Sequence, residues 1–403
     1  MRLFADLQLH SKYAMATSKN MDLEHLAEGA RAKGLNLLGT GDFTHPKWLS
    51  ELNAKLIPIE GTGLFSYNGM TWMLSGEVST IYEQGGKTRK VHHLLYASDL
   101  ETVTQANEFL SRFADLSSDG RPILTGIDSP GLVEGLCAIS PSLFVIPAHA
   151  WTPWFSVFGS RSGFDSLKEC YDDQVSKIFA IETGLSSDPA MNWKVSSLDN
   201  VAFISNSDAH SPNPWRLGRE ANVFELPTPT YRGVFDSVRL KDHTRFLFTI
   251  EVDPSYGKYH FTGHKKCGVS LTPSEAKRLE NACPECGKKM TVGVLQRVEE
   301  LADRPEGFLP RSAVPFKHLL PLYEVISFST GVNRLYARSV LELQDRLIRR
   351  FGSELNVLLD AEEQEIAQVV PSKVAKAIIA SREGMVRVTP GYDGVYGIPD
   401  VFG

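Results

Sequence analysis

Ile204-Ser205-Asn206-Ser207-Asp208-Ala209-His210-Ser211 is the stretch on which the reading of this chain turns. An apolar run, Val201 to Ile204, leads into a small polar turn that carries an Asp and a His two residues apart. Apolar run then polar turn reads as a buried strand ending at a site. In an α/β barrel, chemistry sits where strands end. A carboxylate beside a neutral imidazole suits Zn, Mn or Fe better than Mg. Taken alone, the stretch is equally well a turn that uses Asp and His for its own hydrogen bonds. The rest of the chain decides between the two.

The pattern recurs along the first 230 residues. Leu3-Phe4-Ala5 leads into Asp6-Leu7-Gln8-Leu9-His10-Ser11, and a helical stretch from Asp22 to Lys33 stops at Gly34. Leu35-Asn36-Leu37-Leu38 leads into Gly39-Thr40-Gly41-Asp42-Phe43-Thr44-His45. Trp72 to Gly76 delivers Glu77, and Val91 to Tyr96 carries His92 and His93. Leu143 to Ala148 delivers His149, and Ile178 to Ile181 delivers Glu182. The intervening segments are long enough for crossover helices, which predicts a parallel, barrel-like sheet. A single such His is ordinarily a core histidine with its hydrogen bonds satisfied, and His25, inside a helical stretch with no ligand neighbour, is expected to be of that kind. A series of strand-terminal His and carboxylates points instead to a polynuclear metal site.

Composition sets the bounds. The chain has 403 residues, 42% hydrophobic and 22% charged, with a net charge of −6. That is ordinary for a globular protein of two or three domains, with no global basic field for nucleic acid. Five cysteines in such a length are no disulfide framework, and three of them cluster, so a reducing compartment is the simpler assumption. MRLFADLQLHS lacks the features of a signal peptide, and no stretch approaches the roughly 20 apolar residues of a membrane span. The expectation is a cytoplasmic protein with no membrane partner.

The loop after His149 carries Trp151, Trp154, Phe155 and Phe158 where a polar loop belongs. Such a loop can stack nucleobases or wedge a duplex, core packing being the alternative. Arg216 and Arg219 follow the Asp208 site closely and suit phosphate, unless they are simply solvated. His264-x-x-Cys267 and Cys283-x-x-Cys286, with fifteen residues between the pairs, are the ligand set of a structural Zn. Residues 255–294 hold seven Lys or Arg against three Glu, a net of +4, which makes this segment a candidate nucleic-acid contact. From Val332 to Phe351, with Leu335, Val340, Leu341, Leu347 and Ile348, and on through Arg382 the pattern is helical. No GxxxxGK[ST] occurs, which argues against an NTPase motor.

Asp6-Leu7-Gln8-Leu9-His10-Ser11, Gly41-Asp42, Glu77, His93-Leu94-Leu95, Pro147-Ala148-His149 and Ser207-Asp208-Ala209-His210 resemble the motifs of the PHP superfamily (polymerase and histidinol phosphatase). The resemblance implies a distorted (β/α)7 barrel with two or three divalent ions, Zn, Mn or Mg, for phosphoester hydrolysis. It assigns as ligands Gln8 (where the family usually has His), His10, Asp42, Glu77, His93, His149, Asp208 and His210. Glu77 would be the bridging carboxylate, and Asp42, Glu182 and Asp208 the catalytic ones. His93 is taken as the inward residue of its pair, with His92 on the opposite strand face. The whole arrangement resembles the endonuclease Q family: barrel over 1–255, one structural Zn held by His264, Cys267, Cys283 and Cys286 in a small zinc-ribbon-like domain over 256–304, and a mostly helical domain over 305–403. That resemblance implies a repair endonuclease nicking on the 5′ side of uracil, hypoxanthine, xanthine or an abasic site. Its partners would be double- and single-stranded DNA with such lesions and a sliding clamp, with Trp151, Trp154, Arg216 and Arg219 as DNA contacts. The chemistry needs no side-chain nucleophile, because clustered metals lower the pKa of a bound water. The rival readings are a phosphatase on a small phosphate ester, and a non-catalytic DNA-binding protein whose metal site has decayed at Gln8.

Overall fold

The structure, a computed structural model, describes residues 2–401 apart from 333 and 335. Leu335, read above as part of a helix, lies outside the described residues. The first 255 residues contribute β1 (Arg2–Asp6), β2 (Leu37–Gly39), β3 (Ile57–Ile59), β4 (Leu64–Tyr67), β5 (Met70–Gln84) and β6 (Lys87–Ala97). They continue with β7 (Ile123–Thr125), β8 (Phe144–Pro147), β9 (Ala180–Glu182), β10 (Ala202–Ile204), β11 (Ala221–Glu225) and β12 (Phe246–Glu251). Beyond them lie β13 (Thr262–His264), β14 (Val269–Leu271), β15 (Phe316–His318), β16 (Arg387–Thr389) and β17 (Ile398–Asp400). The architecture is mixed α/β around an eleven-stranded sheet.

The fifteen residues of β5 make it the hub of that sheet. Its first residues pair with β2 and β4, and its remainder with β6 and β7. The sheet is not the parallel one the sequence predicts. β1, β2 and β5 run parallel, as do β9 and β10, but β5–β6, β6–β8 and β1–β11 are antiparallel. The reason is the connection: Gly85 and Gly86, both at positive φ, close a two-residue hairpin where a crossover helix was expected. Glu77 therefore lies in the middle of a strand rather than at its end.

Leu3 of β1, Met73 of β5, Leu94 of β6, Ile146 of β8, Ala202 of β10 and Phe224 of β11 belong to one buried cluster. These strands thus enclose a common apolar interior, while alternate residues pack outward against the helices. The helix Leu23–Lys33 keeps its predicted limits, capped by the Asp22 side chain and ended by Gly34.

β13 and β14 form a hairpin followed by the short helix Pro273–Arg278, whose Thr272 and Glu275 make a reciprocal capping box. The apolar core there is only Ala276, Cys283 and Met290 with a few half-buried neighbours. Beyond it, β15 adds itself to β12 of the main sheet. Helices Leu322–Thr330, Arg338–Phe351, Glu354–Leu359, Glu363–Ile366 and Ser372–Arg382 follow. The β16–β17 hairpin then brings the chain back against residues 255–265 through Gly391 N to Ser255 O and Lys265 N to Asp393 Oδ2.

One buried ion pair pins these helices to the sheet-bearing part. Lys33 Nζ donates to Glu354 Oε1 at 2.7 Å and to the carbonyl of Pro214 at 2.9 Å. Glu354 also accepts from Leu322 N and Gln344 Nε2. Removing one partner of such a pair strands the other charge, at a cost of about 3–5 kcal/mol, whereas replacing both is close to neutral. Glu354→Leu should therefore lower unfolding stability in urea by about that amount, and Lys33→Met with Glu354→Leu should recover most of it. Equal destabilisation by the single and double variants would contradict the pair's role.

Candidate metal centre and cavity

Strand ends and their exit turns deliver the site. Asp42 after β2, His149 after β8 and Asp208 after β10 all have positive φ, 46°, 29° and 49°. Non-glycine residues adopt that conformation at a cost of about 1–3 kcal/mol, and such strain gathers at sites held by their surroundings. The surroundings here are explicit. Asp6 accepts from Ser207 N, Ser207 Oγ and Gly218 N, while Asn206 accepts from Leu7 N and donates to Glu182 Oε1. Arg219 donates twice to Ser207 O. The turn carrying Asp208 and His210 is thus bound to β1 and β9 from both sides.

Two groups of metal-ligating type result: His10, Asp208 and His210, and Glu77, His92 and His149. The ligand atoms of each lie within 4.8 Å of one another. Glu77 joins them. Its Oε2 lies 3.3 Å from His10 Nε2, and its Oε1 lies 2.7 Å from His92 Nδ1 and 3.7 Å from His149 Nε2. His10 Nε2 is also 3.1 Å from Asp208 Oδ1. Yet Gln8 Oε1, His10 Nε2, Glu77 Oε1 and Asp208 Oδ1 are buried and make no hydrogen bond. An unsatisfied buried polar atom costs about 1–3 kcal/mol. Several lone-pair atoms converging unsatisfied on one another fit a cation between them, so the donor set, imidazoles with carboxylates, is suited to divalent metal.

Charge follows the same logic. Burial opposes ionisation of Glu77, but His92, Arg121, His10 and His149 outweigh it and hold the carboxyl well below the usual range. Burial likewise works against Asp208, and His10 and His210 overcome it. His92 is pushed down to about 4 by burial, so it is a neutral, lone-pair-bearing imidazole at neutral pH. His210 Nδ1 donates to the Asp208 carbonyl at 2.8 Å, which leaves its Nε2 free as a donor atom for metal.

Three assignments from sequence are corrected. His93 is not the inward residue. Across the β5–β6 ladder His92 stands opposite Ser79, on the face of Glu77, and His93 stands opposite Val78 on the other. The His93 ring is bonded to Thr80 Oγ1 and Tyr171 Oη, away from the metal-type groups. Asp42 is a support rather than a ligand: its Oδ1 meets His10 Nδ1 at 2.9 Å and its Oδ2 accepts from Ser11 N, so it orients the imidazole whose other nitrogen faces the centre. Trp151 is fully buried, packs on Phe158 and donates to Asn192 Oδ1 at 2.8 Å, so it is core.

Trp154, 40% exposed, is different: it lies against Tyr259 and walls a cavity of about 370 Å³. Gln8, His149, Glu182, Asp208 and His210 line that cavity together with Lys258, Tyr259 and Tyr396. Glu182 accepts from His149 N and Asn206 Nδ2, and burial raises its carboxyl well above the usual range. Arg216 is not among the residues lining this cavity. His92, Arg121 and Tyr396 escaped sequence reading. His92 required the register, and the other two are single residues in polar loops.

Away from this site, His264, Cys267, Cys283 and Cys286 converge, their ligand atoms within 4.8 Å of one another and His264 Nδ1 3.4 Å from Cys286 Sγ. Four such donors gathered in a segment with so small a core fit a structural metal ion. Among the described residues no helix is long and apolar enough to cross a membrane.

The family description "MJ0043 C-terminal domain" matches residues 321–385. The chain is 36% identical over 253 residues to the uncharacterized protein MJ0043 of Methanocaldococcus jannaschii, covering 62% of this chain but only 31% of that protein's length. It is 31% identical over 412 residues to the uncharacterized protein YqxK of Bacillus subtilis, covering 98% of each. Among solved structures it is similar to the lesion-specific endonuclease PfuEndoQ of Pyrococcus furiosus, with a TM-score of 0.88 and 36% identity over 99% of this chain and 95% of that one. It is equally similar to endonuclease Q in complex with a 27-mer duplex substrate with an abasic lesion at the active site, with a TM-score of 0.88 and 37% identity over 99% and 96%.

The ligand assignments separate two neighbouring histidines. His92→Ala should lower the metal content of the barrel site, read by elemental analysis, while leaving the melting temperature close to wild type. His93→Ala should retain metal and lose stability, because it removes a buried ring bonded to Tyr171 and Thr80. The reverse pattern would make His93, not His92, the ligand.

Proposed function

The chain belongs to the endonuclease Q family, and from that premise we propose that it is a metal-dependent endonuclease that nicks DNA 5′ to a deaminated base or an abasic site. The observation that carries this reading is the adjacency of the two metal-type groups, joined by Glu77, to a cavity large enough for a nucleobase and walled by an exposed Trp154. We read the strands around the common interior as a distorted (β/α)7 PHP barrel, and the β13–β14 segment as a zinc-ribbon-like domain.

Gln8, His10, Glu77, His92, His149, Asp208 and His210 would hold the ions of the barrel site. Divalent metal bound there would supply positive charge opposite the phosphoryl oxygens and acidify water near neutral pH. The chain's own groups do the rest. Asp42 keeps the His10 ring turned to the centre. Arg219 spends its guanidinium on Ser207 O, so its part is to fix the Asp208 turn. The cavity would receive the extruded nucleotide, an extrusion that costs least at a mismatched or damaged position. Trp154 and Tyr259 offer aromatic faces for stacking there. His264, Cys267, Cys283 and Cys286 would hold one Zn, and the lysines around them would track the phosphate backbone.

The decisive experiment is incubation of labelled duplexes containing uracil, hypoxanthine, xanthine or an abasic site with the protein and Mg²⁺, Mn²⁺ or Zn²⁺. A single nick 5′ to the lesion is expected, lost in Asp208→Ala with the fold retained. Release of inorganic phosphate from small esters without nicking would favour a phosphatase instead. Trp154→Ala should weaken lesion-duplex binding by roughly 10- to 100-fold, since stacking contributes about 1–3 kcal/mol per base. Trp151→Ala should instead lose about 3–5 kcal/mol of stability. Cys283→Ser should release one Zn and unfold its segment, because structural zinc supplies on the order of 10 kcal/mol to such folds; unchanged zinc content would contradict that assignment.

A further inference from the structure

Arg121 reaches the metal centre as a charge beside Glu77 and is not one of the metal-ligating residue types. Its Nη1 stands 3.7 Å from Glu77 Oε1, close enough for attraction and too far for a hydrogen bond. Among the described residues, its only hydrogen bond runs from its backbone N–H to Asp119 Oδ1. The guanidinium, 30% exposed, thus arrives at the centre with its donors unspent. Partial burial works against its charge, and Glu77, Asp208, Asp119 and Asp42 outweigh that opposition.

The position is built rather than incidental. Asp119 also accepts from Met15 N, Gly120 N donates to Tyr13 O, Thr44 Oγ1 donates to Gly120 O, and Ser79 N donates to Pro122 O. Hydrogen bonds on both sides of Arg121 therefore clamp its backbone to three different segments. Gly120 is required for this approach: a Cβ there would sit 2.4 Å from Asp42 Oδ2, on the carboxylate that orients His10. A segment brought so close to the ligand shell, at the cost of excluding every side chain at 120, delivers a cation to the centre.

We propose that Arg121 is a catalytic residue, its guanidinium binding a non-bridging oxygen of the scissile phosphodiester; this rests on the nuclease reading above. A guanidinium presents donors in a planar fork that matches phosphate, and it cannot lose its proton at working pH. It is not a wall of the 370 Å³ cavity. That separation suits a nucleotide whose base enters the cavity while its phosphate stays at Glu77 and the imidazoles. Charge that grows on the phosphoryl oxygens during hydrolysis would meet a donor already in place.

The test uses the full chain, metal-loaded, with Arg121→Ala and Arg121→Lys. Single-turnover nicking of an abasic duplex at saturating protein is measured beside metal content, melting temperature and duplex affinity in EDTA. Arg121→Ala should nick about 10²- to 10³-fold more slowly, the scale of losing one preorganised donor. Affinity should change far less, and metal content should not change. Added guanidinium ion should restore part of the rate in Arg121→Ala and none in wild type. Arg121→Lys, which keeps the charge but not the fork, should fall between, and it decides the matter if the alanine variant does not fold. A rate within about threefold of wild type would overturn the proposal. So would a parallel loss of metal and rate in both variants, which would make Arg121 a prop for Glu77. If wild type nicks no lesion, the nuclease reading fails separately. Inorganic phosphate titrated into metal-loaded wild type and Arg121→Ala then decides: weaker binding to the variant supports the contact, and equal binding overturns it.

Discussion

A carboxylate buried in the middle of a strand sets the terms for this fold. Glu77 is 2% exposed, and its two oxygens face different sets of partners, His10 and Gln8 on one side and His92, His149 and Arg121 on the other. An isolated carboxylate there would be expelled or protonated, since burying an unpaired charge is far costlier than any single packing contact. The imidazoles and the guanidinium that keep it ionised come from the turn after β1, from β6, from the turn after β8 and from the loop before β7. The long hub strand β5, the glycine hairpin that folds β6 back on it, and the positive-φ turns at Asp42, His149 and Asp208 serve that convergence. The hydrogen bonds around these turns hold their positive-φ residues in place.

The outer supports extend the same principle. Asp6 ties the Asp208 turn to β1, and Asp42 turns His10 inward. Neither reaches the centre, yet each fixes a group that does, which is the ordinary division of labour around metal ligands. The buried Lys33–Glu354 pair reaches further, because Lys33 also holds the carbonyl of Pro214 in the loop that leads to Arg219. The C-terminal helices are thereby joined to the site loop through a single ammonium group.

Much of this was legible in the chain itself. Polar turns after apolar runs at His10, His149 and Asp208 disclosed the site because strand ends leave little else for such residues to do. The His264, Cys267, Cys283 and Cys286 spacing disclosed the second convergence for the same reason. What failed was facing. His92 and His93 are adjacent and identical, and only the β5–β6 register, set by a turn whose geometry overrode the expectation of crossover helices, shows which one meets Glu77. Trp151 and Trp154 differ by three positions, yet one finds Asn192 and the core while the other meets the cavity. Arg121 lies in a loop of Ser, Asp and Gly where a single cation carries no periodic signal. Residue type speaks for chemistry, but orientation is a tertiary property.

Gln8 and Tyr396 wall the same cavity although nearly the whole described chain lies between them. Contacts of such sequence separation close the largest loops, and loop closure delays them relative to local structure. The metal-type groups are complete once β10 and its turn have joined β1, whereas the cavity awaits the return of the β16–β17 hairpin to residues 255–265. By chain order alone, the metal-type groups need fewer distant segments than the cavity does. A chain arrested before that return would carry Trp154 and Tyr259 at the cavity but lack Tyr396.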